Sequence, residues 1–237
     1  MTSHVDERLQ HKAAKFAGFM FLFSLIGPLL NWAFVLSRFV VSGNAIATGK
    51  NIMANEFLFR LGVMAELIMA VGLIVLSVAL YSILKTVNRN LALLALLLKS
   101  VEASLVAAIV LVTITPLQVL NGDAYLSILT PEELQASVGF VLNQHTALYA
   151  IPMVFLGLDM MIFSYLFFKS KYIPRILASF GILSFALIFI HALMFILAPN
   201  YATMPINQVI FWAPSGIFEI IIGIWLLSKG LKIEQTH

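Results

Sequence analysis

The sequence predicts an all-α fold, a polytopic membrane helical bundle of six transmembrane helices with both termini cytoplasmic. Three observations carry that expectation. Of 237 residues, 61% are hydrophobic and only 11% are charged, with a mean hydropathy of +1.00. A water-soluble fold cannot cover so much apolar surface. The apolar residues gather into six runs, each long enough to cross a hydrocarbon core of ~30 Å, and the basic residues collect at alternate breaks between them.

In chain order the runs fall at about 16–37, 57–84, 91–115, 138–168, 176–198 and 208–228, and they form a single integral membrane domain over 1–237. The first is followed by Ala45 and Ala47, a small-residue pattern like a signal-peptide cleavage site. Its apolar run is too long for that, and Asp6 and Glu7 stand at its head, so it reads as an uncleaved anchor. Asn44 to Glu56 is too polar to span and is expected as a short interfacial extension of the second helix. Thr130-Pro131-Glu132-Glu133 is a helix start, with a Thr cap, Pro at the first helical position and Glu three residues after the cap. The fourth span is therefore expected to begin in the headgroup layer and to bend at Gly139. Pro28, Pro152 and Pro214-Ser215-Gly216 are expected to interrupt spans one, four and six.

Arg8, Lys12, Lys15, Lys85, Arg89, Lys169, Lys171, Arg175, Lys229 and Lys232 all fall on one side of such a bundle, against Arg38, Lys50 and Arg60 on the other. The basic-rich side is cytoplasmic by the positive-inside rule, which puts the chain in the cell membrane with both termini inside. The loop from Asn121 to Gln135 has acids, Asp123 among them, and no base. The net charge of +3 is spread over loop ends, so the partner is the lipid bilayer and no nucleic acid is expected. With no cysteine, disulfides, thiolate metal sites and a cysteine nucleophile are excluded.

Charges within a spanning helix are costly and normally face the bundle interior with partners. Glu66, Lys99, Glu102 and Glu219 fall in the middle of their spans, Arg60 nearer the outer surface and Asp159 nearer the inner one. Lys99 and Glu102 share a helix face at i, i+3 and are expected to pair. Setting them aside leaves Glu66, Glu219 and Asp159 against Arg60, an excess of acid that suits a proton, a cation or a polar small molecule. The bland reading of each is interhelical hydrogen bonding alone. His145 and His191 lie at similar depth and are the residues a haem or metal would need, but two histidines fall short of a zinc site. No cofactor is expected.

Three strings resemble a known family: Ala54-Asn55-Glu56-Phe57-Leu58-Phe59-Arg60-Leu61-Gly62, Val87-Asn88-Arg89-Asn90-Leu91-Ala92-Leu93-Leu94 and Tyr172-Ile173-Pro174-Arg175-Ile176-Leu177. The chain resembles, over most of its length, the bacterial multi-pass membrane family called domain of unknown function 4386. Arg60, Lys99 to Glu102, His145 and Glu219 match its pattern, although Lys99 stands where Arg is expected and Lys171 where Gly is expected. The resemblance implies the architecture and brings no activity.

Three functions compete. A small permease or ligand or ion binder would use Glu66, Lys99, Glu102, Glu219, Arg60 and Asp159 around a midplane site. A structural or regulatory subunit would need the charges only to set helix register. A membrane-embedded enzyme or haem or metal redox protein would use His145 and His191, and no hydrolase or nucleotide motif supports it. The binder is preferred and an enzyme is not. The oligomeric state is not legible.

Overall fold

A computed structural model describes residues 2–31, 37–41, 43–120, 130–143, 145–198, 200 and 204–232. These contain no strand. The helices are α1 (Thr2–Asn31), α2 (Ser37–Phe39), α3 (Ala45–Ala54), α4 (Glu56–Leu84), α5 (Arg89–Leu120), α6 (Pro131–Asn143), α7 (His145–Leu148), α8 (Ala150–Ser170), α9 (Arg175–Leu197) and α10 (Pro205–Ser228). Six segments are long and apolar enough to cross a bilayer: Leu9–Leu30, Glu56–Leu84, Arg89–Thr115, Ala150–Ser170, Arg175–Leu197 and Val209–Ser228. The chain is thus an all-α protein with six candidate spans. The loop residues 121–129, with Asp123, lie outside the described residues, as do the side chains of Asn31 and His145.

The chain divides into two compact units, one of residues 1–25, 71–103 and 150–237 and the other of 26–70 and 104–149. In the first, helices meet at glycines, which let apolar helices approach closely enough for dispersion contacts to hold them in lipid. At Gly157 in α8 an added Cβ would lie 2.7 Å from Phe189 Cβ and 2.9 Å from Phe189 N in α9. One at Gly18 in α1 would lie 2.7 Å from the Gly223 carbonyl of α10. Between α9 and α10, Phe185 and Phe218 pack edge to face with centroids 5.6 Å apart.

One end of this unit is tied together by polar contacts. Gln10 donates to Thr86 at 3.5 Å, Thr86 and the Tyr172 hydroxyl lie 3.3 Å apart, and the Lys232 N–H donates to the Tyr172 carbonyl at 2.9 Å. These bonds join the start of α1, the α4–α5 turn, the α8–α9 turn and the tail after α10. Those are the segments whose Lys and Arg residues the sequence groups on one side. Arg175 sits 5.3 Å over Phe168, and Lys229 and Lys232 sit 5.1 and 5.4 Å over Trp225, so the basic rim is also fastened to aromatic rings. Lys171, in the α8–α9 turn, has φ +59°, a left-handed conformation that favours glycine.

In the second unit, Phe39, Ile52, Phe59, Val63 and Val110 form a buried cluster. The stretch after Asn44 is a separate helix and not an extension of the next one. Asn44 Oδ1 accepts from Ala47 N at 2.9 Å to start α3, and the helix closes at Asn55. α3 and α6 pack antiparallel: a Cβ at Gly49 would lie 2.7 Å from the Gln135 carbonyl, and one at Gly139 would overlap the backbone of Ala45. The expected helix start is present as a reciprocal cap. Thr130 N donates to Glu133 Oε2 at 2.8 Å, and Glu133 N donates to Thr130 Oγ1 at 3.3 Å. These hydrogen bonds hold the Glu133 carboxyl below the usual carboxylate range.

The expected start of the fourth span and the expected proline breaks are corrected. Gly139 lies within one helix, α6 (Pro131–Asn143), and the candidate span begins only at Ala150, after a turn at Tyr149. Gly139 serves close packing on α3. Pro152 then falls in the first turn of α8, where a missing N–H leaves no helix bond unmade. α10 is likewise continuous through Pro214, with Ser215 Oγ donating to the Trp212 carbonyl at 2.8 Å, and α1 is continuous through Pro28. Proline there removes one backbone bond, that of the Ile210 carbonyl, and does not unwind the helix.

Candidate functional site

The first unit assembles a charged cluster from three helices. On α5, Lys99 and Glu102 are one turn apart and share a face, as expected from their spacing. Lys99 Nζ donates to Glu102 Oε2 at 2.8 Å, and both side chains are buried. The second partner was not expected. Asp159 of α8, with no exposed surface, places Oδ1 3.0 Å from the same ammonium. That contact is an ion pair by distance only, off the hydrogen-bonding direction, so neither oxygen of Asp159 accepts a hydrogen bond. Glu102 and Asp159, from different helices, thus each place an oxygen within 3.0 Å of one ammonium. α10 brings Glu219 within electrostatic reach of Lys99 and Glu102. Unlike the other three it keeps part of its surface accessible.

Depth explains why these residues meet. Lys99 lies ten residues past Arg89, Asp159 eleven before Ser170 and Glu219 nine before Ser228. At ~1.5 Å per residue each is roughly 14–17 Å from the helix end that belongs to the tied rim, about half of a ~30 Å core. The sequence reading set Asp159 near the inner surface because it took 138–168 as one span. With the span starting at Ala150, Asp159 moves to its middle.

The other candidates lie elsewhere. Arg60 pairs with Glu56 one turn back, Nε to Oε1 at 2.8 Å, on an exposed part of α4 in the second unit. It is therefore not the cation that offsets the remaining acids, a correction to the expected charge balance. Glu66, buried in the same unit, has Tyr149 within electrostatic reach. His191 of α9 is buried, its ring stacked on Phe211 with centroids 5.0 Å apart and set edge-on to Phe195 at 6.2 Å; its Nδ1 has no hydrogen-bond partner. Among the described residues no three His, Cys, Asp or Glu side chains are grouped as metal ligands.

The profile of the family described as domain of unknown function DUF4386 matches residues 16–230. The chain belongs to this family. Comparison with curated proteins and with solved structures yields no match. Membership in DUF4386 agrees with the six apolar helices in making the chain a multi-pass membrane protein in a lipid bilayer.

Proposed function

We propose that this DUF4386 protein is a small permease or ion binder of the cell membrane, working through the midplane cluster of Lys99, Glu102, Asp159 and Glu219. One observation carries the reading: a single buried ammonium lies between two carboxylates from different helices, with a third acid in reach. Fully ionised, the four groups would hold a net charge of −2 in a medium where even one uncompensated charge is costly. The excess is neutralised by something that arrives from outside the fold, and Glu219, the accessible member, is where it enters. No cofactor is part of the proposal.

The competing reading is a structural subunit whose charges only hold helices in register, and the direct pairing of Lys99 with two partners favours it. Flux separates the two. Purified protein in liposomes loaded with a pH indicator should carry protons or alkali cations down an imposed gradient. Glu219→Gln, which keeps size and hydrogen-bonding capacity, should insert normally and abolish that flux. No flux from the native protein, or full flux from the variant, would reject the permease reading at this site.

The basic-residue distribution supports an orientation with both termini and the tied rim in the cytoplasm. The chain has no cysteine of its own, so a single one is easily read. Cysteine in place of Ala124 should react with an impermeant thiol reagent on intact cells, and cysteine in place of Asn88 should not. The reverse pattern would invert the topology.

A further inference from the structure

We propose that Glu102 and Asp159 share one proton, so that the ion handled by the midplane cluster is H⁺ and not a metal cation. This rests on the reading of the cluster as the working site and names its ligand. The two carboxyl groups come from different helices, α5 and α8, and each brings an oxygen within 3.0 Å of the one Lys99 ammonium in a place closed to water. Ionised carboxylates are acceptors only. Two ionised carboxylates crowded on a single ammonium still repel each other, whereas one proton shared between them turns that repulsion into a charge-assisted hydrogen bond.

Asp159 supplies the second, independent sign. Both of its oxygens are buried and neither receives an N–H or O–H from the protein. A fully buried carboxylate normally collects such donors, because leaving it without them costs the desolvation penalty of a charged group. The missing donor is supplied if the proton belongs to the carboxyl pair itself.

Charge balance gives the same stoichiometry. Lys99 contributes one positive charge, and its ammonium is 2.8 Å from Glu102 and 3.0 Å from Asp159. A pair sharing one proton carries one negative charge, so the buried trio is neutral. The ammonium already occupies the position between the carboxylates that an inorganic cation would need. Other charged groups of this unit do not alter the count. On α9, which packs on α8 and α10, the titratable groups are Arg175 over Phe168 at the helix start and His191 between Phe211 and Phe195. On α10 the remaining acid is Glu219, which exposes part of its surface and lies outside the sealed pair.

Infrared spectroscopy reads the shared proton directly. Protein reconstituted in lipid at neutral pH should show the C=O stretch of a protonated carboxyl, slow to shift in D2O because the pair is sealed. The band should persist in Glu219→Gln. It should vanish in Glu102→Gln and equally in Asp159→Asn, since either change leaves Lys99 facing one ionised carboxylate. Absence of the band in the native protein would overturn the inference, as would its survival in either of those variants or its loss in Glu219→Gln alone. The result is independent of liposome flux. A band without flux leaves the shared proton standing and removes the permease, and flux without a band does the opposite.

Discussion

Lys99→Met is expected to be the most damaging single substitution in the cluster, lowering the stability of the detergent-solubilised protein by about 3–5 kcal/mol. Methionine matches the length of the lysine stem and fills its channel, so packing is nearly conserved and the loss is electrostatic. What remains is the negative charge of Glu102 and Asp159, buried and uncompensated. Lys99→Arg keeps the charge and can pair with both carboxylates, so it should be tolerated. Thermal or denaturant unfolding monitored by circular dichroism checks both. Equal losses in the Met and Arg variants would mean that the shape of the lysine, and not its charge, is what the site requires.

Much of this architecture is legible in the sequence. The six spans follow from apolar runs, and the α6 cap from Thr130 and Glu133, because both depend on local chemistry alone. The Lys99–Glu102 contact follows from a spacing of three on one helix. The Arg60–Glu56 pair is equally open to that kind of reading, since the two are four apart, but the expected charge balance sets Arg60 against Glu66, Glu219 and Asp159 instead. Asp159 was misplaced for a different reason. Hydrophobicity is continuous from 138 to 168 and gives no sign of the turn at Tyr149 that starts α8 at Ala150, so the depth count began from the wrong end. Pro214 misled in the opposite direction: a proline marks a lost hydrogen bond, and whether the helix opens there depends on packing. The seating of α3 on α6 through Gly49 and Gly139 is tertiary contact between distant segments, on which local pattern is silent.

The same cluster makes the second large effect, and it is a non-additive one. Because Glu102 and Asp159 together balance one lysine, losing either leaves the other to pair with Lys99. Glu102→Gln and Asp159→Asn should each cost only about 1 kcal/mol, the scale of a lost hydrogen bond. Losing both strands Lys99 as an unpaired buried cation, and the double variant should fall below the sum of the singles by about 2–3 kcal/mol. Adding Lys99→Met to that double variant removes the stranded charge and should recover part of the stability. Unfolding free energies of these variants in one detergent are the measurement that tests the shared-charge cluster most directly. Synergistic loss with recovery on removal of Lys99 is the predicted result; losses that add within about 0.5 kcal/mol, with Lys99→Met deepening them, would contradict it.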